Sequence, residues 1–387
     1  MRGLLACGLL PLLLLQPTAA SWTAAVDKSI RAAVFNSPIY RQLVVPQARA
    51  TMVRTAEANG IRWSEALAWV KGAASWDDAE LARYFLEEEV PAYYRAPFHA
   101  YDLGNLCWEA AWEQELAGKA VGARNMPASE DGEEAFRACF DAALASLGAS
   151  CPATGAIVDM GCGTGTSTRR LARNFPRAAS VLGLDISPHM IAVGTRLLEL
   201  APSAASATSA STAAEGTWVS TIDPDPRVCL ACAEISKASL APACADVVSL
   251  SLVLHELPPA AAAAVFSEAA RLLKPGGQLW ISEMDFETEH FKALKSNPLL
   301  YSLIRSTEPY LDDYAEYHPT QMPADLFEAG FSTVRLAAAT GRHFALVATK
   351  RADGDFGEPM LDDRRRETAK ADTHLQTWEI ASDKGRA

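Results

Sequence analysis

The chain has 387 residues, 49% of them apolar, and its 47 acidic and 35 basic side chains leave a net charge of −12. That length holds one α/β domain with an extension, or two small domains, and can bury a full core. The charge argues against a nucleic-acid partner, which calls for a basic patch. The one short basic run, Arg364–Arg366, sits in an acidic tail and reads as solvated.

The first segment, "MRGLLACGLLPLLLLQPTAASW", places Arg2 before the apolar stretch Leu4–Leu15 and small residues near Ala20. This is a signal-peptide pattern over residues 1–20, and the apolar run is short for a bilayer span. Residues 21–56 hold Lys28, Arg31, Arg41, Arg49 and Arg54. Such a basic, Ala-rich stretch resembles the second half of bipartite leaders in algae with complex plastids; secretion or an endomembrane address is the alternative. No later segment reads as transmembrane.

Residues 21–125 read as a helical extension rich in aromatic residues. "IRWSEALAWVKGAASW" has apolar residues at helical spacing, and "NLCWEAAWEQELAG" reads as a second helix. Between them Pro91 and Pro97 interrupt the pattern around "VPAYYRAPFHAYDLGNLCW". Its aromatic residues Tyr93, Tyr94, Phe98, His99 and Tyr101 suit either the core of the extension or a cover over a site. The polar stretch "MPASEDGEE" reads as a linker, and a helix is expected through Phe136–Leu147.

From Ala156 strand and helix alternate. "AIVDMG" is a strand, followed by a loop with Gly161, Gly163 and Gly165 and then a helix. "SVLGLDIS" is the second strand, and Pro188 suits the first turn of the next helix. Residues 201–226 are a low-complexity Ala/Ser/Thr insert, read as a surface loop. "RVCLACA" is the third strand, and "ADVVSLSLVLHEL" holds a fourth, apolar throughout as a strand covered on both faces should be. A helix ended by Lys274–Gly277 leads to the fifth strand, "QLWISEMD". The segments "STVRLAAAT" and "RHFALVATK" suggest an antiparallel pair, and residues 351–387 a polar, disordered tail. The fold class is therefore α/β, a doubly wound and mostly parallel sheet over 133–350 with an N-terminal helical extension.

Eight cysteines are scattered along the chain, and Cys7 falls in the leader. The seven others make no disulfide framework. Cys229 and Cys232 form one CxxC, but no second pair or nearby His completes a zinc site, so no metal is expected.

In such sheets ligands lie beyond the carboxyl ends of the strands. A bare glycine loop lets a ligand approach the backbone, and the helix N-terminus behind it favours an anionic group. Asp185, ending the second strand, can accept hydrogen bonds from two ribose hydroxyls. That much fits NAD or S-adenosylmethionine. A dinucleotide fingerprint would place glycine at 166, where Thr166 stands.

"VDMGCGTG", "GLDIS" and "LLKPGGQLWISE", in that order, resemble the class I S-adenosylmethionine-dependent methyltransferases. With "VLHELP" they are most similar to the ubiquinone/menaquinone-type (type 11-like), small-molecule branch. The resemblance spans about Ala156–Lys350 and implies a seven-stranded sheet with S-adenosylmethionine along its carboxyl edge. Asp159, Gly161, Gly163 and Gly165 would hold the methionine part, Asp185 the ribose, and Ile186 the adenine. The family's Asp-Ala pair after the third strand is here "ACAE": Cys232 replaces the Asp, Ala233 remains, and Glu234 is either its substitute or a surface residue.

The implied reaction is in-line displacement of a methyl group onto a small acceptor, apolar or phenolic by resemblance. Holding both reactants in near-attack geometry contributes on the order of 7–11 kcal/mol in favourable cases. His255, just past the fourth strand, is the candidate catalytic residue: a base, a group that orients a substrate hydroxyl, or a structural histidine. Glu256 reads as structural, and Glu283 and Asp285 as pocket-lining or solvated. The competing expectations are a methyltransferase-like assembly factor without turnover and, disfavoured by Thr166, a nicotinamide-dependent oxidoreductase.

Overall fold

The computed structural model describes residues 46–371 apart from 47, 48, 51, 55, 59, 85–88, 100, 201–224, 298–300, 302, 303 and 306. The expected leader and nearly all of the Ala/Ser/Thr insert lie outside the described residues. Contacts divide the chain after Arg49, and Ala50–Ala387 form one unit.

The strands are β1 (Ala156–Met160), β2 (Ser180–Asp185), β3 (Val228–Cys232), β4 (Ala245–Ser251), β5 (Leu273–Met284), β6 (Phe331–Thr340), β7 (His343–Lys350) and β8 (Met360–Asp363). They form one sheet in the order β3-β2-β1-β4-β5-β7-β6-β8. The first five are mutually parallel. β7 runs antiparallel to both its neighbours, as the "STVRLAAAT"/"RHFALVATK" pairing anticipates. The order reverses between β1 and β4, so the chain leaves a crevice beyond their carboxyl ends.

The sheet is covered on both faces. Helices α1 (Trp63–Gly72), α2 (Trp108–Asn125) and α3 (Gly132–Ser146) precede it; α4 (Thr166–Asn174), α5 (Pro188–Leu200) and α6 (Pro259–Leu272) connect its strands. Then come α7 (Glu289–Lys295), α8 (Leu311–Tyr317), α9 (Met322–Glu328) and α10 (Arg365–Ala371). One core joins Val248, Leu250 and Ile281 of the sheet to Val265 and Phe266 of α6 and Tyr314 of α8. Phe136 and Phe140 of α3 pack with Ile157, Val181 and Trp280 in another. α3 starts earlier than expected because Asp131 caps it, accepting the N–H groups of Glu133 and Glu134.

The extension docks on α5. Trp63, Ala66 and Val70, at helical spacing on α1, pack with Ala110, Ala111 and Leu116 of α2 and Met190, Val193 and Leu197 of α5. A buried ion pair fixes the contact further: Glu115 of α2 meets Arg169 of α4 at 2.6 Å. Between α1 and α2 the proline-broken stretch forms turns, with a single-turn helix at Ala92–Arg95 and a bridge from Phe98 to Tyr101.

Four expectations are corrected. The sheet has eight strands, not seven, and the eighth comes from the segment read as a polar, disordered tail. β8 pairs in parallel with β6, and Arg365 of α10 is not solvated but reaches the buried Asp285 at 3.2 Å. The Lys274–Gly277 turn belongs to the start of β5, since α6 stops at Leu272. No described helix is long and apolar enough to cross a membrane.

Removing one partner of a buried pair leaves the other charge uncompensated, at a cost of about 3–5 kcal/mol. Arg365→Ala should therefore lower the urea midpoint by the equivalent of about 3 kcal/mol with an unchanged slope. At Glu115 burial raises the carboxyl pKa, but the charge and hydrogen bonds of Arg169 outweigh it and hold it below the ordinary range. A carboxylate so depressed stabilises above the unfolded pKa of about 4.3 and loses that contribution as pH falls through its folded value. Glu115→Gln should be less stable than the parent at pH 7, with the gap closing below about pH 4. Urea midpoints at pH 7, 5 and 3.5 measure this; a constant gap would contradict it.

Candidate active site

The glycine loop turns at the carboxyl end of β1. Gly161, Gly163 and Gly165 all have left-handed backbones, with φ of +73°, +55° and +89°. The bareness also serves packing. A Cβ on Gly163 would lie 1.9 Å from Nε2 of Gln114, and one on Gly161 2.7 Å from Cγ2 of Val253. Side chains from the extension and from the end of β4 already press against this backbone.

Asp185 ties the loop to the end of β2. Its Oδ2 accepts the Gly163 N–H at 2.9 Å, and its Oδ1 accepts the Ser187 N–H at 2.8 Å. The Tyr94 hydroxyl stands 3.5 Å from the same Oδ1. Burial raises the Asp185 pKa, against these backbone donors, which lower it. Burial and the Asp185 charge together hold the Tyr94 phenol well above its usual range, so it is a neutral donor.

Asp159 lies beneath the loop and is fully buried. Its Oδ2 accepts the Ser167 and Thr168 hydroxyls of α4 at 2.6 and 2.7 Å, while Oδ1 has no hydrogen-bond partner. Burial pushes its pKa up to about 6 in spite of the two hydroxyls.

Beyond β2 and β3, Ile186 is buried and the Ala233 N–H donates to the Asp185 carbonyl at 2.9 Å. The Cys232 thiol, pushed up to about 12 by burial, donates to the Ile186 carbonyl. Glu234 is buried rather than on the surface, and its carboxylate accepts the Ser236 N–H and hydroxyl.

The other half of the site stands at the ends of β4 and β5. His255 is buried, with Nδ1 2.9 Å from Oε1 of Glu283. Burial would lower the histidine's pKa, but the charge and hydrogen bond of Glu283 override it and push the value up to about 10. Glu256 goes the other way: burial pushes it up to about 7. Glu283 and Asp285 are buried, which settles the solvated alternative against both. Asp285 faces Arg365 and the Glu287 N–H, away from the pair with His255.

A narrow cleft opens beside them, lined by Tyr93, Tyr94, Phe98, Asn105, Glu256 and Tyr310. The aromatic stretch thus divides. Tyr93, Tyr94 and Phe98 line the cleft, Tyr101 packs with the extension, and His99 is exposed and pairs with Glu308 at 3.0 Å.

Several site residues carry no motif. Gln114 accepts the Thr164 N–H at 2.5 Å, Glu115 accepts the Thr164 hydroxyl at 2.8 Å, and Asn105 donates to Glu256 at 3.2 Å. One signal was present in "WEQEL". Successive helical residues are rotated by about 100°, so three polar residues in a row span more than half the circumference. Flanked by the buried Ala111 and Leu116, they could not all face water.

The residues fit S-adenosylmethionine. An ionised carboxylate offers about four acceptor positions, and Asp185 has used three at most, the third a long contact to Tyr94. The loop beside it lacks a Cβ at Gly161, Gly163 and Gly165, where Gln114 and Val253 are the side chains a ligand would displace, and a helix begins at Thr166.

Residues 158–281 match the family model of the methyltransferase domain of type 11. The chain is 33% identical over 139 residues to an uncharacterized methyltransferase of Emericella nidulans, covering 34% of this chain and 42% of that one. It is 30% identical over 163 residues to a malonyl-[acyl-carrier protein] O-methyltransferase of Herminiimonas arsenicoxydans, covering 42% and 50%. The chain thus spans half or less of the length of these curated relatives. Among solved structures, phosphoethanolamine N-methyltransferase 2 of Haemonchus contortus, in complex with S-adenosyl-L-methionine, is 17% identical with a TM-score of 0.38, covering 60% of each chain. With the strand order and the glycine loop, the family match identifies residues 158–281 as part of a class I methyltransferase domain of the type 11 branch, whose cofactor is S-adenosylmethionine.

Proposed function

We propose that the protein transfers a methyl group from S-adenosylmethionine to a small acceptor bound in the cleft beside Glu256. One observation carries this reading: the carboxylate of Asp185 and the glycine loop meet at the switch point of the sheet, and the aromatic cleft opens next to them. When bound, the cofactor supplies a sulfonium-activated methyl group. The chain's own residues have to hold, align and dehydrate.

In this reading Asp185 accepts the ribose hydroxyls, and Tyr94 gives up its long contact to make room. Gly161, Gly163 and Gly165 let the methionine part meet the backbone. Asp159 acts from below, holding Ser167 and Thr168 so that the first turn of α4 keeps the loop in place. Ile186 and Ala233 border the adenine, and Cys232 stays a neutral thiol there. The aromatic rings of Tyr93, Tyr94, Phe98 and Tyr310 exclude water and suit an apolar or phenolic acceptor.

His255 serves as a positioning group rather than a base. Its Nδ1 is committed to Glu283, and a histidine held near pKa 10 is already protonated at neutral pH. The net negative charge supports a small-molecule acceptor over nucleic acid. A non-catalytic scaffold is not favoured, since the loop and Asp185 keep their geometry.

Calorimetric titration of the purified protein tests the cofactor half. S-adenosylhomocysteine should bind and NADH should not. Hydrogen bonds to a charged acceptor contribute about 1.5–3 kcal/mol, so Asp185→Ala should weaken binding by about ten- to a hundredfold. Unchanged affinity would remove Asp185 from the ribose site.

A further inference from the structure

Four groups that bind metal ions well lie together around Glu256, one of the residues that line the cleft. His99, His255 and Glu256 each offer one ligand atom, and these three atoms lie within 4.8 Å of one another. Glu308 stands beside them. Its Oε1 holds Nε2 of His99 at 3.0 Å, and its Oε2 is buried without a hydrogen-bond partner.

The arrangement around the two histidines is informative. Each has one ring nitrogen fixed by a carboxylate: Nδ1 of His255 by Glu283, and Nε2 of His99 by Glu308. Nε2 of His255 and Nδ1 of His99 are then the nitrogens for a metal ion, which on binding displaces the proton that His255 otherwise carries at neutral pH. A metal-bound imidazole almost always has its second nitrogen held in this way, which sets its orientation and raises its basicity.

The spacing is within reach of closure. Nitrogen and oxygen ligands sit about 2.0–2.2 Å from a zinc-like ion, so two ligands of one tetrahedral ion are about 3.3–3.6 Å apart. Drawing in atoms now within 4.8 Å of one another takes shifts of about 1 Å, within reach of side-chain rotation at His99, which is exposed on a turn. Its backbone has φ of +50°, a left-handed conformation unusual for histidine. The His99 N–H is anchored to the Thr307 carbonyl at 2.9 Å, which keeps the ring beside Glu308.

We propose that His99, His255 and Glu256 bind a divalent cation of the zinc class, with Glu283 and Glu308 orienting the two histidines. Two imidazoles and a carboxylate suit zinc-like ions better than magnesium or calcium, which prefer all-oxygen sites. Three protein ligands leave a fourth position, as in zinc sites that hold a substrate. Glu256 lines the aromatic cleft, so that position is within reach of an oxygen atom of the acceptor. The site goes beyond the methyl-transfer reading and is tested without the methyl donor.

The probe is Co2+, whose visible absorption reports four-coordinate geometry. The full-length protein is freed of metal by a chelator, titrated with Co2+ and then displaced with Zn2+. The expected result is one Co2+ per chain with the intense band of a tetrahedral site, bleached by an equivalent of Zn2+. His99→Asn keeps a residue that tolerates the left-handed backbone, and should weaken Co2+ binding at least tenfold. Glu256→Gln should weaken it as well, while Cys229→Ser, at an exposed thiol outside the cluster, should leave it unchanged. Absence of saturable Co2+ binding would overturn the proposal. So would binding that survives His99→Asn but disappears with Cys229→Ser.

Discussion

The carboxylate of Asp185 is the fixed point from which the site is built. It ends β2, and the next strand over, β1, ends in the glycine loop. The backbone begins to join these two ends, the Leu184 carbonyl accepting the Gly161 and Cys162 N–H groups at 2.7 and 3.0 Å. Asp185 adds a second tie, one oxygen on the Gly163 N–H and the other on the Ser187 N–H. Both donors are backbone groups beyond regular secondary structure, and left unpaired in this buried place each would cost about 1–3 kcal/mol. The loop and the entry to α5 therefore share a tie to one side chain. The same side chain is the acceptor best placed for a hydroxylated ligand.

The extension completes what the sheet begins. A glycine loop with three left-handed residues has little side-chain packing of its own to hold it. α2 supplies it: Gln114 accepts the Thr164 N–H, and Glu115 accepts the Thr164 hydroxyl while pairing with Arg169. These groups come from a helix whose other face is bound to α1 and α5 through apolar contacts. Docking of the extension and ordering of the loop are thus coupled. An extension that unfolds takes two hydrogen bonds away from the loop and an ion pair away from α4.

This division explains which parts were legible in the sequence. β1, β2, β4 and β5 are visible as apolar runs because strands covered on both faces must be apolar, and glycine or proline marks their ends. The candidate residues on the sheet, Asp159, Gly161, Gly163, Gly165, Asp185, Ile186, Ala233 and His255, follow from knowing where strands stop. β8 was not legible: Met360–Asp363 is four residues long with two exposed apolar side chains, and only pairing with β6 makes it a strand. Gln114, Glu115 and Asn105 carry no motif, and Tyr94 was legible only as one of several aromatic residues, for a different reason. Their role comes from which way an amphipathic element is turned against a neighbour about 50 to 150 residues away. Periodicity locates the helix but not its partner. Glu234 shows the converse, a surface-looking acid buried because it closes its own turn on Ser236.

Charge is distributed unevenly along the carboxyl edge, and both ends of the chain contribute to balancing it. Asp185 and Glu283 lie within the last two residues of β2 and β5, and Glu256 and Asp285 shortly after strand ends, where removing an ionised carboxylate from water is costly unless it is paired. The sheet itself contributes few cations there. Asp185 is neutralised by backbone donors and Glu283 by His255. Asp285 is reached by Arg365, from the helix after β8. Glu256 accepts the Asn105 amide, from the extension, and burial pushes it up to about 7 although the charges of His99 and His255 pull it down. Of the four acids it is the least compensated, and it is also the one that lines the cleft. A positively charged or proton-donating group brought into the cleft would be drawn to Glu256 first, and the aromatic walls, by lowering the local dielectric, would strengthen that attraction.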